Sequence, residues 1–206
     1  MKMFRFIAIA AFLMFSMGAQ ATVITFDDQL VEAKPNGYTV NGVTFVDTTG
    51  DDLVVTDEGG GNHALAILID DESFLGIIFP SISNSLSLMF GNDNPQFSEA
   101  GDIALLMLYM DGEKVGQTSV VLNRNNLIDQ TISLAGINFD VALFGYANSN
   151  GFPIALTELV DNITFTAAGT TPPPAPIPEP ASLALLGLGL LGVALSRRKV
   201  PARAID

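Results

Sequence analysis

Cysteine is absent from this chain, which excludes a disulfide framework, a thiolate metal site and a cysteine nucleophile. Histidine occurs once, at His63, too little imidazole for a nucleophilic triad or a histidine-rich zinc site. Beside Gly59-Gly60-Gly61 it reads as a turn-edge residue. That glycine run makes no phosphate cradle, because no G-K-[ST] follows it and its neighbours are Asp57 and Glu58. Tryptophan is missing and tyrosine stands only at Tyr38, Tyr109 and Tyr146, which tells against strong sugar stacking. Basic residues are scarce where the chain must fold. From Thr22 to Ala168, Lys34, Lys114 and Arg124 stand against 20 acids, a net charge of −17. Such a surface repels nucleic acid and anionic lipid and suits a soluble exported protein that holds cations.

Both ends of the 206 residues read as trafficking segments. At the amino end Lys2 and Arg5 precede an apolar stretch from Phe6 to Met17, and small residues close it in Ala19-Gln20-Ala21. This is the layout of a secretory signal peptide, residues 1–21. Signal peptidase is expected to read Ala19 and Ala21 and cut after Ala21. At the other end "AAGTTPPPAPIPEP" breaks the composition. Its prolines cannot join a sheet ladder and favour an extended spacer, so residues 169–180 read as a linker.

The segment 22–168 is one domain's worth of chain, built of short apolar or alternating runs. Strands are expected at 23–26, 38–40, 43–46, 52–56, 64–69, 75–79, 85–90, 103–110, 114–122, 130–134, 139–147 and 158–165. Asn41-Gly42 and Asp111-Gly112 sit between such runs, the pattern of a type I′ hairpin turn with positive φ at both central residues. Strands joined this way are antiparallel. The expected fold is all-β, an antiparallel two-sheet β-sandwich of jelly-roll style, with an up-and-down barrel as rival.

Beyond the linker, Ala181 to Leu195 carries no charge, and Arg197, Arg198 and Lys199 form a basic stop. As a helix that run extends about 22 Å, short of the roughly 30 Å hydrocarbon core, so it is a marginal anchor. A hydrophobic helix with its basic stop is expected over 181–199 and a short cytoplasmic tail over 200–206, with the acidic domain outside. The order Pro178-Glu179-Pro180, Leu/Gly/Ala helix, basic cluster closely resembles the PEP-CTERM sorting signal of exported bacterial proteins. The resemblance implies recognition by an exosortase, a membrane-embedded cysteine protease, at or near Pro178-Glu179-Pro180. Transfer to the cell surface, outer envelope or extracellular matrix would follow. The extension "VPARAID" after Lys199 departs from the family's usual ending.

Carboxylates supply the remaining chemistry. Asp161 lies two residues before Ile163 and four before Phe165, and Asp28 stands in the same relation to Phe26 and Ile24. Alternation therefore aims both at the core side, where a carboxylate is costly unless it is hydrogen-bonded or holds a cation. If the first and last strands are neighbours, Asp27 or Asp28 with Asp161 forms a structural Ca²⁺ site, with backbone carbonyls completing the shell. "FDD" and "VDNITF" also resemble, over about ten residues, carbohydrate-binding jelly-roll modules in which such acids flank a structural calcium. A second acidic cluster, Asp47, Asp51, Asp52, Asp57, Glu58, Asp70, Asp71 and Glu72, fits no EF-hand spacing and reads as a solubilising rim.

The expected function is that of a non-enzymatic exported protein of the surface or matrix, structural or associated with polysaccharide. The alternative is a secreted hydrolase that acts on polysaccharide through paired carboxylates.

Overall fold

The computed structural model describes residues 21–50, 53–68 and 72–169, all within one compact unit spanning Ala19–Thr170. The signal peptide before Ala21, most of the linker, the expected helix 181–199 and the tail 200–206 lie outside the described residues. So do Ala19, Pro178, Glu179, Pro180, Arg197, Arg198 and Lys199.

The described residues contain strands and no helix. The strands are β1 (Ala21–Ile24), β2 (Tyr38–Val40), β3 (Val43–Asp47), β4 (Leu53–Asp57) and β5 (His63–Ile67). They continue with β6 (Leu75–Gly91), β7 (Ile103–Met110), β8 (Glu113–Val121), β9 (Gln130–Ala147) and β10 (Leu159–Ala167). Every strand pairing is antiparallel. The Asn-Gly and Asp-Gly hairpins form as their chemistry requires, with φ of 50° and 82° at Asn41 and Gly42 and of 51° and 84° at Asp111 and Gly112. Gly59, Gly60 and Gly61, all at positive φ, make the turn from β4 to β5.

Twelve expected runs become ten strands because two pairs fuse. The runs 75–79 and 85–90 are the two halves of β6, and 130–134 and 139–147 are the two halves of β9. Proline, serine and asparagine between them read as breaks but act as bends. The β6–β9 ladder shifts register between Ile78 and Ser83 and again before Ser85, where Pro80 lacks an N–H to offer. Opposite this bend, Gly136 takes φ 82° within β9.

The bends let both long strands run from one layer of the sandwich into the other. One layer orders β2, β3, the first half of β6, the second half of β9, β7 and β8. The other orders β4, β5, β10, the second half of β6 and the first half of β9, with β1 on β10 beyond β5. The hydrogen-bonded path runs open from β4 to β8, so the rival up-and-down barrel does not form.

Phenylalanines join the layers. Phe90, late in β6, meets Phe144, late in β9, at 5.6 Å between ring centroids, and Phe26 after β1 meets Phe45 of β3 at 5.6 Å. Phe79 at the β6 bend lies 5.2 Å from Phe139 and 5.0 Å from Phe165. Aromatic pairs of this kind add about 0.5–1.5 kcal/mol each beyond the area they bury. A smaller apolar cluster, Ala64, Ala66 and Leu159, is separate from this core and packs against Val54 and Ile128.

Candidate functional site

The geometry of the carboxylates follows from an irregularity in β10. Along one edge, Leu159 and Val160 pair with Ala66 and Leu65 of β5, whereas Ile163 to Thr166 pair with Ile24 to Ala21 of β1. On the other edge the register passes from Asp161↔Met89 to Thr164↔Ser87, three steps on β10 against two on β6. The extra residue is a bulge, and Asn162 occupies it at φ 48°, a conformation asparagine tolerates better than most residues. Asp161 therefore stands where the strand exchanges one neighbour for another.

Asp161 is 2% exposed, but not for the expected reason. Val160 and Ile163 both enter the main core although they are three residues apart, so the bulge breaks the alternation. Asp161 pairs with Met89 while Val160 pairs with the core residue Phe90, and opposite residues of an antiparallel ladder share a face. Its carboxylate thus lies on the face away from the core, buried in the notch between the ends of β1 and β5. Oδ2 accepts a bond of 2.9 Å from Asn162 Nδ2, and Oδ1 has no hydrogen-bond partner. Burial raises the carboxyl above the ordinary aspartate range and the nearby Asp27 charge adds to the rise; the Asn162 and Phe26 backbone N–H groups oppose it.

The turn after β1 carries Asp27, an exposed residue whose charge is near enough to act on Asp161. Asp27 Oδ1 accepts the His63 backbone N–H at 3.0 Å, while His63 Nδ1 lies 3.0 Å from the Gln29 carbonyl. His63 thus anchors the turn after β1 to the start of β5, in keeping with a turn-edge role. Asp28 does not join the pair. Like Asp27 it is exposed, but its Oδ1 accepts a 2.6 Å bond from Gln29 Nε2 and its charge is not among those that act on Asp161. The alternation that aimed Asp28 inward runs past the end of β1, which stops at Ile24.

Among the described residues no three carboxylate or imidazole side chains gather closely enough to hold a metal by themselves. An ion at the notch would be held by Asp161, Asp27, backbone carbonyls and water, an oxygen set that suits Ca²⁺. Three described members of the second acidic cluster serve turns, while Glu72 is exposed. Asp47 Oδ1 accepts the Thr49 N–H at 3.0 Å, Asp57 Oδ1 accepts the Gly59 N–H at 2.8 Å, and Glu58 accepts Thr56 Oγ1 at 2.7 Å. Asp51, Asp52, Asp70 and Asp71 lie outside the described residues.

A shallow groove of about 260 Å³ lies where β4, β5, β10 and the end of β6 meet. Ala66 and Leu159 of the smaller apolar cluster line it with Leu68, Thr56, Glu58, Asn92 and Thr157. Asn92 Nδ2 donates to the Thr157 carbonyl at 3.1 Å and ties two of its walls. Glu58 is the one ionisable residue among the described residues that line it.

Sequence reasoning passed over the lock beside this groove. Buried Asp93 accepts the Arg124 N–H at 2.5 Å and the Asn126 N–H at 2.9 Å, and Arg124 reaches back to the Pro95 and Ser98 carbonyls at 2.9 and 2.7 Å. The available signal was that Arg124 is one of only three cations between Thr22 and Ala168.

No curated protein matches this sequence. Solved structures of similar shape include the CBM22-1 xylan-binding domain of Paenibacillus barcinonensis Xyn10C, 10% identical over 74% of this chain and 98% of that one, with a TM-score of 0.41. A DUF4465 family protein from Bacteroides caccae is 12% identical over 71% of this chain and 98% of that one, at 0.40. The CBM22-1–GH10 modules of Clostridium thermocellum xylanase 10B are 16% identical over 77% of this chain, at 0.39, and this chain spans 30% of their length. A family model, the PEP-CTERM protein-sorting motif, matches residues 176–199. The stretch from Pro178-Glu179-Pro180 to Arg197-Arg198-Lys199 is therefore a PEP-CTERM sorting motif, carried behind an antiparallel β-sandwich.

Proposed function

We propose that this is an exported, non-enzymatic protein of the cell surface, outer envelope or extracellular matrix, associated with polysaccharide and delivered by its tail. The observation that carries the reading is the sorting motif at residues 176–199. In this reading signal peptidase cuts after Ala21. The run 181–195 holds the chain in the membrane for a time, and an exosortase-type protease acts at or near Pro178-Glu179-Pro180. Mass spectrometry of the mature surface protein tests both cuts. The expected product begins at Thr22 and lacks the peptide beyond the motif; recovery of intact Arg197-Arg198-Lys199 on mature material refutes the processing.

The lining of the groove supports the non-enzymatic reading. Glycoside hydrolysis by paired carboxylates needs two acids across a cleft, and among the described residues that line this groove Glu58 is the one acid. Screening the protein for turnover of polysaccharides should give none, and a turnover lost at one pair of acids would restore the hydrolase reading.

A structural Ca²⁺ between Asp27 and Asp161 belongs to the same proposal. Its support is the buried Asp161 Oδ1 without a hydrogen-bond partner and the like charge of Asp27 beside it. A cation relieves both, and by joining β1 to β10 at the bulge it would fasten the strand nearest the signal-peptide cut.

A further inference from the structure

Three loops leave the sandwich side by side. Ile103 pairs with Val121 on one edge and with Ala147 on the other, which places the end of β8, the start of β7 and the end of β9 next to one another. The segments 122–129, 92–102 and 148–158 therefore emerge together. Their conformations are braced from within. Arg124 holds the turn at 94–98 through the Pro95 and Ser98 carbonyls and is itself positioned by Asp93. In the third loop Asn148 Oδ1 accepts the N–H groups of Asn150 and Phe152 at 2.9 and 3.2 Å, and the Asn148 N–H returns to the Phe152 carbonyl at 2.8 Å. A Cβ on Gly101 would lie 3.8 Å from Ser149 Cβ, so the segments 92–102 and 148–158 meet at that point.

On these braced loops stand Phe97 and Phe152, 63% and 67% exposed. The other phenylalanines among the described residues are buried or half-buried. Leaving a phenyl ring in water forgoes about 1.5–3 kcal/mol that burial would supply, so the fold gains little from either ring where it stands. Gln96, next to Phe97, and Asn150, two residues before Phe152, are exposed in the same turns.

We infer that Phe97 and Phe152 form a docking platform for a neutral polysaccharide, each ring stacking on the apolar face of a sugar while the amides of Gln96 and Asn150 meet its hydroxyls. This rests on the polysaccharide-associated reading above and gives it a site apart from the groove. Two features select the ligand class. The net charge of −17 over residues 22–168 repels polyanions and leaves an uncharged chain as the matching partner. The exposed amides beside the rings also suit the hydroxyls of a row of sugar units. Because the loops are braced before the ligand arrives, binding costs little ordering entropy.

The test uses the exported protein in affinity electrophoresis through soluble neutral β-glucan, xylan and mannan, with a polyuronate as the charged comparison. Wild type should be retarded by at least one neutral polymer and not by the polyuronate. Phe97→Ala and Phe152→Ala should each bind roughly two- to tenfold more weakly, the range expected for one aromatic contact, and the double variant more weakly still. Phe152→Trp should keep binding, and because the chain has no other tryptophan its emission should shift as glycan is added. If wild type binds and the double variant binds equally well, or the Phe152→Trp emission stays fixed at saturating glycan, the platform is wrong and the polysaccharide reading stands. Preference for the polyuronate overturns the neutral class. Retardation by none of the polymers overturns the platform together with the reading it rests on.

Discussion

Removing calcium should make this domain less stable, and the loss should depend on pH with a defined sign. Asp161 is 2% exposed with one unpartnered oxygen, a situation that costs about 1–3 kcal/mol when nothing satisfies the group. Burial and Asp27 hold its carboxyl above the usual range, so the metal-free fold binds that proton more tightly than the unfolded chain does. Stability of the chelated protein should therefore fall as pH rises from the ordinary aspartate value through the raised one, then level off. Calcium stabilises the ionised form and should reverse this trend. At a hundredfold excess over its dissociation constant a ligand adds about 2.7 kcal/mol, or roughly 5–10 °C in Tm for a domain of this size. Asp161→Asn keeps the shape and removes the charge. It should melt with little dependence on calcium, above the chelated wild type near neutral pH and below the calcium-loaded one. The assay is thermal unfolding followed by circular dichroism from pH 4 to 8, with calcium and with chelator. Coincident wild-type curves with and without calcium across that range would refute the argument.

Other perturbations probe the packing around the braced loops and the hairpins. Gly91→Ala should cost about 1–3 kcal/mol in urea unfolding, because its Cβ would fall 2.5 Å from the Leu127 carbonyl oxygen and 2.7 Å from Ile128 N, backbone that cannot swing aside. Tyr146→Phe should cost about 1–3 kcal/mol in the same assay, since the buried hydroxyl donates to the Gly91 carbonyl and its loss strands that acceptor. Gly42→Val should cost about 1–2 kcal/mol through its left-handed backbone alone, as Pro80 stands 3.6 Å from the added Cβ, ordinary contact. Arg124→Ala should release the 94–98 turn and speed proteolysis within 92–102 while the Tm changes less than for Gly91→Ala.

How much of this was readable beforehand depended on how local the determining chemistry is. Asn41-Gly42 and Asp111-Gly112 declare their hairpins because positive φ is a property of the residues themselves. Pro80 declares only that an N–H is missing. Whether the chain then ends a strand or bends it depends on β9, whose residues lie more than 50 positions away, so β6 and β9 read as four strands and are two. The same limit governed the acids. Counting in twos back from Phe165 places Asp161 inward only if no residue is inserted, and Asn162 is inserted. Counting on from Phe26 to Asp28 assumes a strand that has already stopped at Ile24. Burial of Asp161 was foreseen through a phase that does not hold, and the adjacency of β1 and β10 was the part of the reasoning that did. Composition likewise cannot rank the buried aspartates Asp47, Asp93, Asp102 and Asp161. The first three each accept a backbone N–H that closes a loop, from Thr49, from Arg124 and Asn126, and from Glu99. Asp161 too is reached by backbone N–H groups, those of Asn162 and Phe26, but it stands where β10 exchanges β5 for β1, near enough to Asp27 for that charge to raise its carboxyl, a meeting set by strand order, which composition does not carry.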